Sequence, residues 1–209
     1  MEKKGNEFKG LAGGRNYKHL ARLFGFTEKF YRKGVGNVRL ANGMKALDLG
    51  CGPGALSFAL AEKASPQAEI IGIDISEDQL NYARSKCFRY SCNLKFENCS
   101  MSELPYPDEY FDVVVTSMAL HETPPKVRRA AIAQTARTLK KNGCFILVDW
   151  SKPKFGLWGI LWFPMICWGA QNKDNWENVY PELCRQNGLQ SKEDCYINSI
   201  ARRQVFVKE

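Results

Sequence analysis

From residue 45 onward, short apolar runs bounded by turn residues alternate with longer stretches in which apolar side chains recur every three or four positions. The short runs at 45–49, 69–73, 94–97, 111–116 and 144–149 read as strands, and the longer stretches between them as helices. Runs with so few polar breaks suit strands covered on both faces, so the alternation predicts an α/β fold built from β-α-β units around a parallel sheet. Two last short strands fit 196–199 and 204–207. Ser76 with Gln79 three residues on reads as a capping box, and Thr123-Pro124 opens a helix that Asn142-Gly143 ends. Upstream, Tyr17, Leu20, Ala21, Phe24, Phe26, Phe30 and Tyr31 recur at helical spacing around Gly25, which predicts a helical flank. Residues 1–15, rich in glycine and charge, read as a loose start. The expected organisation is one domain over 16–209, with 16–43 as flank.

Composition changes this picture little. A chain of 209 residues, 44% of them apolar, can bury a substantial core without staples. The eight cysteines follow no secretory leader and form no C-x-x-C pair, so they read as reduced thiols of a cytoplasmic protein with no metal site. The net charge of +8 is spread over pairs such as Lys140-Lys141, Arg128-Arg129 and Arg202-Arg203, the pattern of a solvated surface. It leaves room for contact with an acidic membrane surface. Residues 155–172 stand out as 18 uncharged positions with Trp158, Trp162 and Trp168, but Pro164 and the glycines argue against a membrane span, which needs about 20 apolar residues.

The segment that carries chemistry is Leu47-Asp48-Leu49-Gly50-Cys51-Gly52-Pro53-Gly54, a strand running into a glycine-rich turn that opens a helix. Glycines let the backbone turn tightly and approach a ligand, and a helix N-terminus offers free N–H groups. Gly50-x-Gly52-x-x-Ala55 followed by Asp74 also satisfies the dinucleotide fingerprint, so the spacing alone leaves NAD open. Asp48 weighs against it, because a carboxylate at the mouth of the turn repels a pyrophosphate and pairs with an amino group. Asp74, at the end of the second strand, is placed to accept bonds from both ribose hydroxyls.

With Gly72-Ile73-Asp74-Ile75-Ser76, residues 104–114 and Leu120-His121-Glu122, these residues resemble the successive motifs of class I S-adenosylmethionine-dependent methyltransferases. Residues 147–153 are similar to the fifth-strand motif of the ubiquinone and menaquinone biosynthesis C-methyltransferases. The resemblance implies a Rossmann-like three-layer sandwich whose seven-stranded, mostly parallel sheet has an antiparallel last strand. It also implies S-adenosylmethionine as cofactor, its methionine end over Gly50, Cys51, Gly52 and Gly54 and its ribose on Asp74. The adenine would lie between Ile75 and Ser100-Met101, with Thr116 at the end of the fourth strand also in contact. Two positions depart from the family: Ser100 stands where an Asp usually faces the adenine amino group, and Gln79 where a Met often covers the ring.

His121, after the fourth strand, is the candidate base if the acceptor must lose a proton. The loop at Thr116-Ser117-Met118-Ala119 lacks the Asn/Asp-Pro-Pro-aromatic tetrapeptide of nucleobase amino-methylating enzymes, which disfavours nucleic acid. The aromatic stretch within 150–175 falls where this family builds its substrate cover, which points to a small hydrophobic acceptor of quinone or lipid type and to peripheral membrane contact.

Overall fold

The computed structural model describes residues 26–154 and 173–209. The expected loose start, the first part of the helical flank and the aromatic stretch 155–172 lie outside the described residues. Strands β1 (Lys45–Leu49), β2 (Glu69–Asp74), β3 (Asn93–Asn98), β4 (Phe111–Ser117), β5 (Leu139–Trp150), β6 (Leu189–Tyr196) and β7 (Ala201–Lys208) form one seven-stranded sheet. Its order is β3-β2-β1-β4-β5-β7-β6. Strand β7 runs antiparallel to both its neighbours, and the pairings from β3 across to β5 are parallel.

The two-residue period of a strand sorts the side chains onto two faces. Ala46, Ile70, Val113, Val115, Ile146 and Val148 enter one core with helices α1 (Glu28–Val35), α2 (Ala55–Ala61) and α3 (Glu77–Arg84). Leu47, Leu49, Ile71, Ile73, Val114, Phe145 and Leu147 enter the other. That second core is covered by helix α4 (Pro125–Thr138) and, after the short helix α5 (Lys173–Glu177), by α6 (Tyr180–Gln186). Burial on both faces is why the central strands read as nearly unbroken apolar runs.

Four expectations are corrected. Helix α4 ends at Thr138 instead of at Asn142-Gly143, because Leu139 is already extended and pairs with Phe111. The Asn-Gly pair instead makes an irregularity in β5, with Asn142 at φ 63° and the sheet register shifting between Phe111 and Val113. The last two strands are longer and begin earlier than 196–199 and 204–207. β6 is an edge strand with most of its side chains exposed, so no apolar alternation marks it. Ser76 takes the N-cap position of α3 but makes no capping bond to it, so the expected box does not close.

Arg128, one of the presumed surface charges, is the fourth correction: it is fully buried. Its guanidinium donates to the Leu120 and Thr123 carbonyls and, at 2.6 Å, to Asp174 at the start of α5. Asn175 continues the link by donating to the Trp150 carbonyl while its Oδ1 accepts from Tyr180. This buried network ties the loop after β4 and the end of β5 to α5. Removing one partner of a buried ion pair strands the other charge. Arg128→Ala should therefore lower the unfolding free energy by about 3 kcal/mol in urea denaturation; a loss below about 1 kcal/mol would show that the network carries little of the fold.

Candidate functional site

The strand order reverses between β1 and β4, and open α/β sheets bind ligands in the crevice beyond the carboxyl ends at such a point. The chain has a cleft there. It is lined by the turn after β1 (Gly50, Cys51, Gly52, Pro53), by Asp48, by Asp74, Ile75 and Gln79 from the end of β2 and the start of α3, by Cys99 and Met101 after β3, and by Ser117 to Ala119 after β4. Tyr31 of α1 and Glu122 complete the rim.

The turn has little freedom. Cys51 N–H donates to the Ile73 carbonyl, and Gly52 N–H donates to Asp74 Oδ2 at 2.8 Å. Asp74 Oδ1 accepts from Ser76 N–H, also at 2.8 Å, so one carboxylate joins the turn to the start of α3. Gly50 sits at φ 66°, and a Cβ there would lie 2.6 Å from the Ala119 Cβ, so only glycine lets the two loops meet. Gly54 is required for another reason: at φ 84° its Cβ would strike Phe58 and Phe96 at 2.9 Å. It serves helix packing and does not line the cleft.

Asp48 shares a face of the sheet with Ala46 and points at α2, where Ser57 donates to its Oδ2 at 2.6 Å. It is 1% exposed. Burial pushes its carboxyl up to about 7, against the pull of the Ser57 bond and with a small contribution from the charge of Asp74. Burial also raises the Asp74 carboxyl, opposed by the backbone bonds of Ser76, Gly52 and Ile75. The Cys51 thiol is buried and pushed well above its usual range, so it enters the cleft as an uncharged group.

Among the described residues three buried side-chain oxygens have no hydrogen-bond partner: Asp48 Oδ1, Gln79 Oε1 and Ser117 Oγ. All three residues line this cleft. Buried polar atoms are almost always paired, so three unpaired oxygens on one cavity, those of Asp48 and Gln79 acceptors and that of Ser117 a hydroxyl, mark a place for a ligand that brings hydrogen-bonding groups.

The remaining residues singled out in the sequence fall outside the cleft lining. Thr116 lies beneath it, donating to the Leu49 carbonyl at 2.8 Å and locking β4 to β1. Ser100 pairs with Ser102 across 2.9 Å. His121 is largely buried, with Nδ1 2.7 Å from Asp149 Oδ1 and Nε2 3.2 Å from Glu122 Oε1. Burial works against a charged ring, but the charge and hydrogen bond of Asp149, followed by those of Glu122, outweigh it and raise His121 to about 10. An imidazolium gripped at both nitrogens has no lone pair with which to take a proton from an acceptor. Ser117, in the cleft lining, and Asp149, the partner of His121, are the positions that sequence reasoning passed over. Asp149 had a signal, a charge inside the apolar run 145–150, which demands a partner once the strand is buried.

The matches to known proteins agree with this arrangement. Residues 46–143 match the methyltransferase domain family. The ubiquinone/menaquinone biosynthesis C-methyltransferase UbiE of Bordetella avium is 29% identical over 163 residues, covering 77% of this chain and 63% of that protein. The demethylmenaquinone methyltransferase of Staphylococcus aureus is 31% identical over 141 residues, 66% of this chain and 57% of that protein. Over its central part the chain is similar to class I methyltransferases. The matched part thus spans about 60% of the length of these curated relatives. The solved structure of magnesium protoporphyrin IX methyltransferase from Synechocystis, with bound SAH, superposes with a TM-score of 0.71 at 19% identity, covering 95% of this chain and 97% of that one, a likeness of fold. The chain therefore has its three unpaired oxygens at the switch point of a Rossmann-like sheet.

Because the partners of His121 raise its pKa, the ion pair stabilises the fold fully below about 6.5 and its contribution fades as pH rises through about 10. In NMR the His121 ring carbons should keep imidazolium shifts at pH 8.5; a midpoint near 6.5 would contradict the paired geometry.

Proposed function

We propose that the chain transfers a methyl group from S-adenosylmethionine to a small hydrophobic acceptor of quinone or lipid type, leaving S-adenosylhomocysteine. The observation that carries the cofactor assignment is the set of unpaired oxygens in the cleft. Asp48 Oδ1 faces the ligand's ammonium group, which would restore the carboxylate charge that burial now suppresses. A pyrophosphate brings no donor to that oxygen, which disfavours NAD. The Asp74 carboxylate accepts backbone N–H groups at both oxygens and keeps acceptor capacity for the ribose hydroxyls. Ile75 and Met101 offer apolar flanks for adenine, and Gly50, Cys51 and Gly52 lie along the methionine end.

When bound, the cofactor supplies an electrophilic methyl group on a sulfonium. What the chain contributes is position and the exclusion of water, a contribution that reaches roughly 7 to 11 kcal/mol in favourable systems. Ser117, Met118, Ala119 and Tyr31 form the rest of the cleft wall, on which the acceptor would rest. Met118 has φ 53°, a strained backbone held where the acceptor side begins. His121 holds the 120–123 turn against Asp149 and is not assigned as base.

The hydrophobic acceptor is supported by the quinone-related names of the relatives and by the tryptophans of 155–172. Peripheral contact with a membrane surface and a cytoplasmic location complete the reading, supported by the net charge of +8. Among the described residues no helix is long and apolar enough to cross a membrane.

Calorimetric titration with S-adenosylhomocysteine and with NAD, followed by labelled methyl transfer to a short-chain demethylmenaquinone, tests the proposal. Adenosyl binding without NAD binding, and a methylated product, are expected; absence of adenosyl binding would refute it, and binding without any turnover would reduce the chain to a cofactor-binding protein. The Asp48 carboxyl near 7 sets a pH signature. S-adenosylhomocysteine affinity should fall about tenfold from pH 7.5 to 6 as Asp48 takes up a proton, and Asp48→Asn should flatten that slope. Asp74→Ala should weaken binding by about 2 to 3 kcal/mol.

A further inference from the structure

Gln79 stands in the first turn of α3 with its side chain 2% exposed. It lines the cleft beside Ile75, Cys99 and Met101, and its Oε1 has no partner. Ser100, the residue the family pattern would place against the adenine amino group, is turned to Ser102 and is not part of the cleft lining. Resting on the adenosyl cofactor proposed above, we infer that Gln79 Oε1 is the acceptor for the adenine 6-amino group, and so the residue that reads the base.

Each donor of the ligand needs an acceptor in the cleft. S-adenosylhomocysteine carries three kinds of hydrogen-bond donor: the ammonium, the ribose hydroxyls and the 6-amino group. Asp48 Oδ1 suits the ammonium, as the only carboxylate oxygen among the unpaired three. The Asp74 carboxylate, which keeps acceptor capacity beyond its backbone bonds, suits the hydroxyls. The ring nitrogens of adenine are acceptors and cannot satisfy a carbonyl oxygen. The 6-amino group is the donor that remains, and Gln79 Oε1 is the buried acceptor beside the apolar flanks that suit a flat base. A buried carbonyl sealed under a ligand without a donor is costly, so the pairing discriminates against bases that lack the amino group.

Titration of the protein with S-adenosylhomocysteine and with its analogue bearing hydrogen in place of the 6-amino group tests this. The wild-type protein should prefer the amino form about tenfold. Gln79→Met should bind the two within about twofold, and Gln79→Glu, which keeps an acceptor oxygen, should retain the preference. Equal wild-type affinities would overturn the inference without any variant having to fold. Loss of the preference in Ser100→Ala with its retention in Gln79→Met would transfer the role to Ser100. Failure of both ligands to bind the wild-type protein would refute the cofactor reading itself, a result distinct from equal binding.

Discussion

The carboxylate of Asp74 holds the cleft in shape. Its two oxygens accept from Gly52 N–H and Ser76 N–H, joining the glycine turn after β1 to the helix that follows β2. Without those bonds the turn would be a loose loop on a parallel sheet. With them, Gly50 is carried against Ala119 and the loops after β1 and β4 close into one wall. The same group is thus a structural clamp that also lines the cleft.

That clamp sets up an electrostatic contrast across the site. On one side Asp48 is buried with a single hydroxyl partner and titrates near neutrality; on the other, Asp149 and Glu122 surround His121 and keep it charged. The first is an unfinished arrangement and the second a finished one. A buried carboxyl with an unpaired oxygen is expensive to maintain and makes physical sense where a cation arrives to complete it. The finished triad, with Arg128 behind it, keeps the loop between Leu120 and Thr123 in place while the cleft itself stays ready for a ligand.

How far this was legible in the sequence depended on burial. The bounds of β1 matched because Ala46, Leu47 and Leu49 are packed on both faces, whereas β6 was misplaced because an exposed edge strand carries no apolar rhythm. The glycine turn and Asp74 were readable from spacing alone. The different tasks of Gly50 and Gly54 were not, since they depend on Ala119 and on Phe58 and Phe96, far away in the chain. Arg128 looked like one of many surface charges until α5 brought Asp174 to it. Ser117 and Gln79 show the same limit: that their oxygens lack partners is a property of three-dimensional packing, which no motif records.

The most direct test of this account is a crystal structure of the protein with S-adenosylhomocysteine. The ligand's ammonium should lie within hydrogen-bonding distance of Asp48 Oδ1 and its ribose hydroxyls on Asp74. A complex in which Asp48 Oδ1 stays buried and unpaired, or in which the ligand lies outside the cleft, would contradict the claim that these oxygens exist to receive it.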